Sequence, residues 1–155
     1  MGQQQLLLLV LGIVIVGLSV VVGIQAFGEN QKKANADALV NDAIRIASDA
    51  QAWKLKPTAF GGGASATGFS GMTLTQLGYG HDGTEDDPYT NLNGSFTINA
   101  GGSSLIITAD DENSLDNRVI VGVYGTAPEC IATKVTNQED STSPANPNST
   151  ACAFN

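Results

Sequence analysis

Leu6–Ile24 is a run of nineteen residues without a charge, and fifteen of them are Leu, Ile or Val. As a helix rising 1.5 Å per residue, the run spans roughly 28 Å, about the hydrocarbon thickness of a bilayer. At about 0.4 kcal/mol per aliphatic side chain, it favours lipid over water by roughly 6 kcal/mol. The segment belongs in a membrane or inside a protein core, and three readings compete for it: a cleaved secretory signal, a membrane anchor, or the core of a filament. A secretory signal carries Lys or Arg ahead of the run and small residues before its cleavage point. Here Met-Gly-Gln-Gln-Gln leads in, and the best cleavage candidate, after Ala26, has bulky Ile24 two residues before it.

The following stretch bears on the other two readings. From Glu29 to Lys56 there is no Pro and no Gly, and small or apolar residues recur at Ala36, Leu39/Val40, Ala43/Ile44, Ile46/Ala47, Ala50 and Trp53. Spacings of three and four predict an amphipathic helix with Lys, Asp, Asn and Gln on its other face. Lys54 and Lys56 complement the negative end of that helix, and Pro57 with Gly61–Gly63 stops it. No loop signal separates the two halves. They read as one helix over residues 1–56, apolar in 1–28 and amphipathic in 29–56, about 80 Å long. The second half has an apolar face for a sheet; the first projects beyond what a small domain covers. Gly12, Gly17, Ser19 and Gly23 either let such helices approach closely or locally loosen the helix.

Residues 57–155 have the texture of a β-rich head. After the Gly-rich stretch 60–68, Ser95–Ala100 alternates apolar and polar residues, Gly101-Gly102 signals a hairpin, and Ser104–Thr108 makes its second strand. Arg118–Tyr124 is the strongest strand, Cys130–Val135 is a fourth, and Thr136–Asn155 forms a Ser-, Asn-, Pro- and Thr-rich periphery. The fold class expected is α+β, a long N-terminal helix packed on a small antiparallel sheet.

Charge is divided unevenly. Residues 1–60 hold five basic side chains against four acidic ones, whereas residues 61–155 hold Arg118 and Lys134 against eleven Asp and Glu. So acidic a head repels phosphate backbones, and direct nucleic-acid binding by it is not expected. The two cysteines, Cys130 and Cys152, read as a disulfide pinning the tail to the last strand, since no C-x-x-C motif is present.

An uncharged helix flowing into an amphipathic one, then a loop, an antiparallel sheet and a cysteine-closed C-terminal loop resembles the layout of type IV pilins and pseudopilins. The family's export signal ends in Gly directly before the apolar run, and Gly2 stands in that place. The resemblance implies processing after Gly2, Gln3 as the first mature residue and its amino group as a methylation site. It also implies a homopolymer whose core is built from Leu6, Leu7, Leu11, Val14, Leu18, Val21 and Ile24. Copies of the chain, the inner membrane before assembly and a pilus assembly machinery are the implied partners, and the implied destination is an extracellular cell-surface filament. Adhesion, motility, DNA uptake and secretion are all open to such a filament. The chain departs from the family where an acidic residue usually sits early in the mature helix: Leu7 occupies that place, and Gln3–Gln5 offer only neutral hydrogen bonds. The alternative is a single-pass membrane-anchored surface binding protein that does not polymerise.

The case for catalysis is thin. A Ser/His/Asp or Cys/His arrangement would have to be built on the only histidine, His81, in the loop-like Gly80–Asp87. No enzymatic activity and no cofactor are expected. Calcium is the weaker alternative at one of two acidic clusters, Asp82/Glu85/Asp86/Asp87 or Asp110/Asp111/Glu112 with Asp116, neither of which has helix-loop-helix calcium spacing. Asn93 and Asn148 begin N-x-[ST] triplets and are weak glycosylation candidates.

Overall fold

The computed structural model describes residues 2–80, 88–113 and 115–154. Its contacts divide into two compact units, residues 1–34 and 35–155. Helix α1 covers Gly2–Leu55. The strands are β1 (Tyr89–Thr90), β2 (Ser95–Ala100), β3 (Leu105–Asp110), β4 (Arg118–Val123) and β5 (Ile131–Thr136). They form one sheet in the order β1-β2-β3-β4-β5, antiparallel throughout. The α+β architecture expected from the sequence is the one observed.

The first unit is helical, and every described residue in it is exposed. In the second, α1 turns one stripe inward: Leu39, Ala43, Ile46, Ala47, Ala50 and Trp53 are buried. Alanines at three of these positions let the helix lie close to the sheet. The sheet's inner face follows from register, because directly opposed residues share a face. Val119, Val121 and Val123 of β4 oppose Ala109, Ile107 and Leu105 of β3, which in turn oppose Phe96, Ile98 and Ala100 of β2. Each large side chain so buried contributes roughly 1.5–3 kcal/mol of transfer free energy. A polar residue joins the stripe: buried Gln51 donates from Nε2 to the carbonyls of Gly125 (2.8 Å) and Ala127 (2.9 Å). It thereby satisfies turn carbonyls that the core would otherwise leave unpaired.

Two segments are more ordered than the sequence suggests. The linker after α1 contributes Phe69, Met72 and Leu74 to the core, and Phe69 meets Phe154 edge-to-face at 5.0 Å. The C-terminal stretch reaches the sheet's outer face, where Arg118, Ile120 and Gly122 alternate with the inward valines. Ile120 is only 1% exposed there. The Tyr124 hydroxyl donates to the Pro144 carbonyl, and Lys134 binds Asp140 and Thr142, bringing residues 140–144 against that face. Gly122 makes room for this arrangement, since a Cβ would stand 2.7 Å from Cε2 of Tyr124. The tail is fastened by side chains along its length as well as by its cysteines.

Cys130 and Cys152, both buried, are joined by a disulfide across a separation of 22 residues. Closing a loop of that size stabilises the fold by about 3 kcal/mol in the chain-entropy picture. Trp53 is the only tryptophan and sits between helix and linker, so its fluorescence reports on this unit. In the detergent-solubilised chain, Cys152→Ser is expected to lower the urea midpoint followed at Trp53 by an amount corresponding to about 3 kcal/mol. An unchanged midpoint would mean that the tail's other contacts already do that work.

Candidate assembly surface

The feature of this chain least satisfied by the chain itself is the first part of α1. Its large apolar residues from Leu6 to Phe27 are 50–68% exposed. Its best 18-residue window has a mean hydropathy of 3.1 and no buried residue, so the helix is long and apolar enough to cross a membrane. At about 100° per residue, Leu7, Leu11, Val14, Leu18 and Val21 fall within a stripe about 80° wide. Leu6, Leu7, Val10, Leu11 and Val14 line one shallow groove along the helix, with Gln3 at its end. Leu6 and Ile24, the remaining candidates, flank the stripe.

The small residues occupy other faces. Gly12, Ser19 and Gly23 cluster about 140° from the centre of the stripe, and Gly17 with Gly28 lie about 70° from it on the other side, between the stripe and Leu6/Ile24. None of these glycines is required by any contact among the described residues, because a Cβ at each would meet nothing within 4 Å. Ser19 donates its hydroxyl to the Ile15 carbonyl at 2.8 Å, so its one polar group is satisfied inside the helix. No charge and no unmet side-chain polar group interrupts the circumference from Leu6 to Ile24. Such a surface, apolar all round, suits lipid or a ring of neighbouring helices. Gly2 and Gln3 lie in the first turn of α1 and are exposed.

Elsewhere the structure separates residues that the sequence groups. Asp110 takes Arg118 in a two-pronged contact, Nε to Oδ1 at 2.5 Å and Nη2 to Oδ2 at 3.0 Å. Asp111 is buried and accepts the Leu115 N–H, Asp116 accepts the Gln138 N–H, and Glu112 is exposed. Among the described residues no three His, Cys, Asp or Glu side chains converge as a metal site requires. Asp82, Glu85, Asp86, Asp87 and His81 lie outside the described residues. Of the two glycosylation candidates, Asn93 commits its amide nitrogen to Asp42 at 2.7 Å, where a glycan would displace that bond. Asn148 is exposed, and its Oδ1 accepts the N–H groups of Thr150 and Ala151.

The head's ionisable groups serve its structure. The hydrogen bond with Asp110 raises the Arg118 pKa despite partial burial. Burial, then the hydroxyl's 2.6 Å hydrogen bond to Asp49, raises Tyr79, and burial raises Tyr124. Hydrogen bonds from Lys134 and then Thr142 hold Asp140 well below the usual carboxylate range. A depressed carboxyl adds stability that is fully present above its unfolded value, about pH 4, and is lost as pH falls toward the folded one. Urea midpoints should therefore differ between the wild-type chain and Asp140→Asn at pH 6, with the difference shrinking below about pH 4. A gap that widened on acidification would contradict this pairing.

No family model, no curated protein and no solved structure matches this chain; its long apolar N-terminal helix and small antiparallel sheet are compatible with a pilin-like fold.

Proposed function

We propose that this chain is a structural subunit of an extracellular filament of the type IV pilin kind, polymerising through the apolar part of α1. The observation that carries this reading is an exposed helical segment, apolar around its whole circumference, whose glycines meet no side chain or backbone among the described residues beyond their own helix. Each glycine costs up to about 1 kcal/mol relative to Ala in a helix in water, and close approach of a neighbouring helix offsets such a cost. Helices packed on several sides by copies of themselves use such positions for close approach. Before assembly, the same segment suits residence in the inner membrane. Processing after Gly2, methylation of Gln3, recruitment by an assembly machinery and a role in adhesion belong to this proposal as what the resemblance to pilins implies.

The second reading is a single-pass anchor carrying a surface binding head, and the helix's length and hydropathy favour it equally. The two differ in whether the apolar surface meets protein or lipid tails. Leucine in place of Gly12 and Gly23 keeps the segment fully apolar while filling the close-approach face. The filament reading expects the variant to reach the membrane normally and to lose most filaments in sheared fractions viewed by electron microscopy. Wild-type filament yield from the variant would overturn the close-approach role of these glycines, whereas a wild-type chain recovered only as single copies in the membrane fraction would point to the anchor. Val14→Lys should likewise abolish filaments while the head retains the wild-type urea midpoint followed at Trp53.

A further inference from the structure

Within residues 35–155, the helical segment has two chemically opposite ends. At the Asn35 end, Asn117 donates to Asn35 Oδ1 at 3.0 Å, which places the β3–β4 loop there. Gln138 ties the segment after β5 to that loop, donating from its backbone to Asp116 and from Nε2 to the Asp111 carbonyl. The corner so formed exposes Glu112, Asp116 and Glu139. Arg118 and Lys134, the head's two basic residues beyond the linker, are already taken by Asp110 and Asp140. Asp111, 6% exposed, adds a buried carboxylate oxygen, Oδ1, that has no partner among the described residues. The corner therefore exposes three carboxylates that are not the ones Arg118 and Lys134 pair with.

The other end is the mirror of this in chemistry. Leu55 and Phe60 are 66% and 72% exposed, an apolar pair flanking exposed Lys56. Lys54 is turned inward to the carbonyls of Gly63 and Ala66, whereas Lys56 makes no ion pair among the described residues. Beside Lys56 lies a cleft of about 190 Å³ lined by Asp49, Ala52, Trp53, Lys56, Gln76 and Leu77. Asp49 is engaged there by the Tyr79 hydroxyl. Trp53 is buried, and its indole Nε1–H has no acceptor among the described residues. This end presents a cation and an unmet donor beside apolar surface; the other presents carboxylates and an unmet acceptor.

We propose that the Leu55–Lys56–Phe60 end of one head docks on the Glu112–Asp116–Glu139 corner of a second copy, a head-to-tail contact that runs along the filament. A contact between two different surfaces does not close on itself as a two-fold dimer does, and repetition generates an open helical array. Exposed charge pairs are individually weak, about 1 kcal/mol or less. The contact thus guides register between subunits, while the apolar helices hold the assembly. The inference rests on the filament reading and adds to it which surfaces of the heads meet.

Zero-length carbodiimide coupling of sheared native filaments, followed by peptide mass spectrometry, tests it. Lys56 and the acidic corner stand about 30 Å apart along the helix, so a direct link between them joins two copies. The Lys134–Asp140 pair, 2.6 Å apart within one chain, reports that the coupling has worked. The expected result is a link from Lys56 to Glu112, Asp116 or Glu139. Lys56→Glu should cut filament yield several-fold, with Glu112→Lys and Glu139→Lys together restoring it. Filaments that show the Lys134–Asp140 link but none from Lys56 to the corner overturn the contact and leave the filament intact. A membrane fraction holding only single copies overturns both.

Discussion

Nineteen consecutive residues without a charge, helical and exposed along their length, are incompatible with water as their surroundings. Burial of aliphatic surface is the dominant favourable term in folding and association, and here roughly fifteen large side chains obtain none of it from their own chain. Their backbone groups are satisfied within the helix and Ser19 within its own turn, so the surface asks for apolar neighbours and nothing else. In the proposed pathway, lipid supplies them before assembly. In the proposed filament, copies of the same helix supply them afterwards, with the glycine positions setting how closely the backbones approach.

The residues from Asn35 onward meet a different requirement. Their part of α1 has a single inward stripe, narrow and rich in alanine, which lets the helix seat closely on the valine face of β4 and the mixed face of β3. Gln51 crosses to the β4–β5 connection, Tyr124 and Lys134 hold the tail across the outer face, and the disulfide closes the last loop. A surface unit built this way is stapled on both sides of its sheet. That suits a part which would stand repeatedly at the outside of a polymer, exposed to solvent that its own acidic character attracts.

Much of this was legible from periodicity. The helix is predicted from unbroken three- and four-residue spacing, and its end from Lys54, Pro57 and the glycines that follow; the strands from Ser95 to Thr136 are predicted by alternation within a residue or two of where they lie. The short β1 at Tyr89–Thr90 is not, because a two-residue strand carries no period. Gln51 reads as solvent-facing since its partners, Gly125 and Ala127, lie more than seventy residues away. Phe69 and Phe154 likewise meet only through the closed fold. The acidic group at Asp110–Glu112 reads as a cation candidate because sequence places the carboxylates side by side, whereas strand register gives Asp110 to Arg118 and the turn gives Asp111 to Leu115. Charge complementarity between the two ends of the head was hidden for the same reason: it depends on which loop lies beside Asn35.

The most direct test of the central claim is helical reconstruction by cryo-electron microscopy of filaments sheared from native cells, with mass spectrometry confirming the chain in them. The account predicts a core of closely packed copies of residues 6–24 along the filament axis, with the β-rich heads outside. Filaments lacking this chain, or a chain found only as lipid-bathed single copies in the membrane, would contradict it.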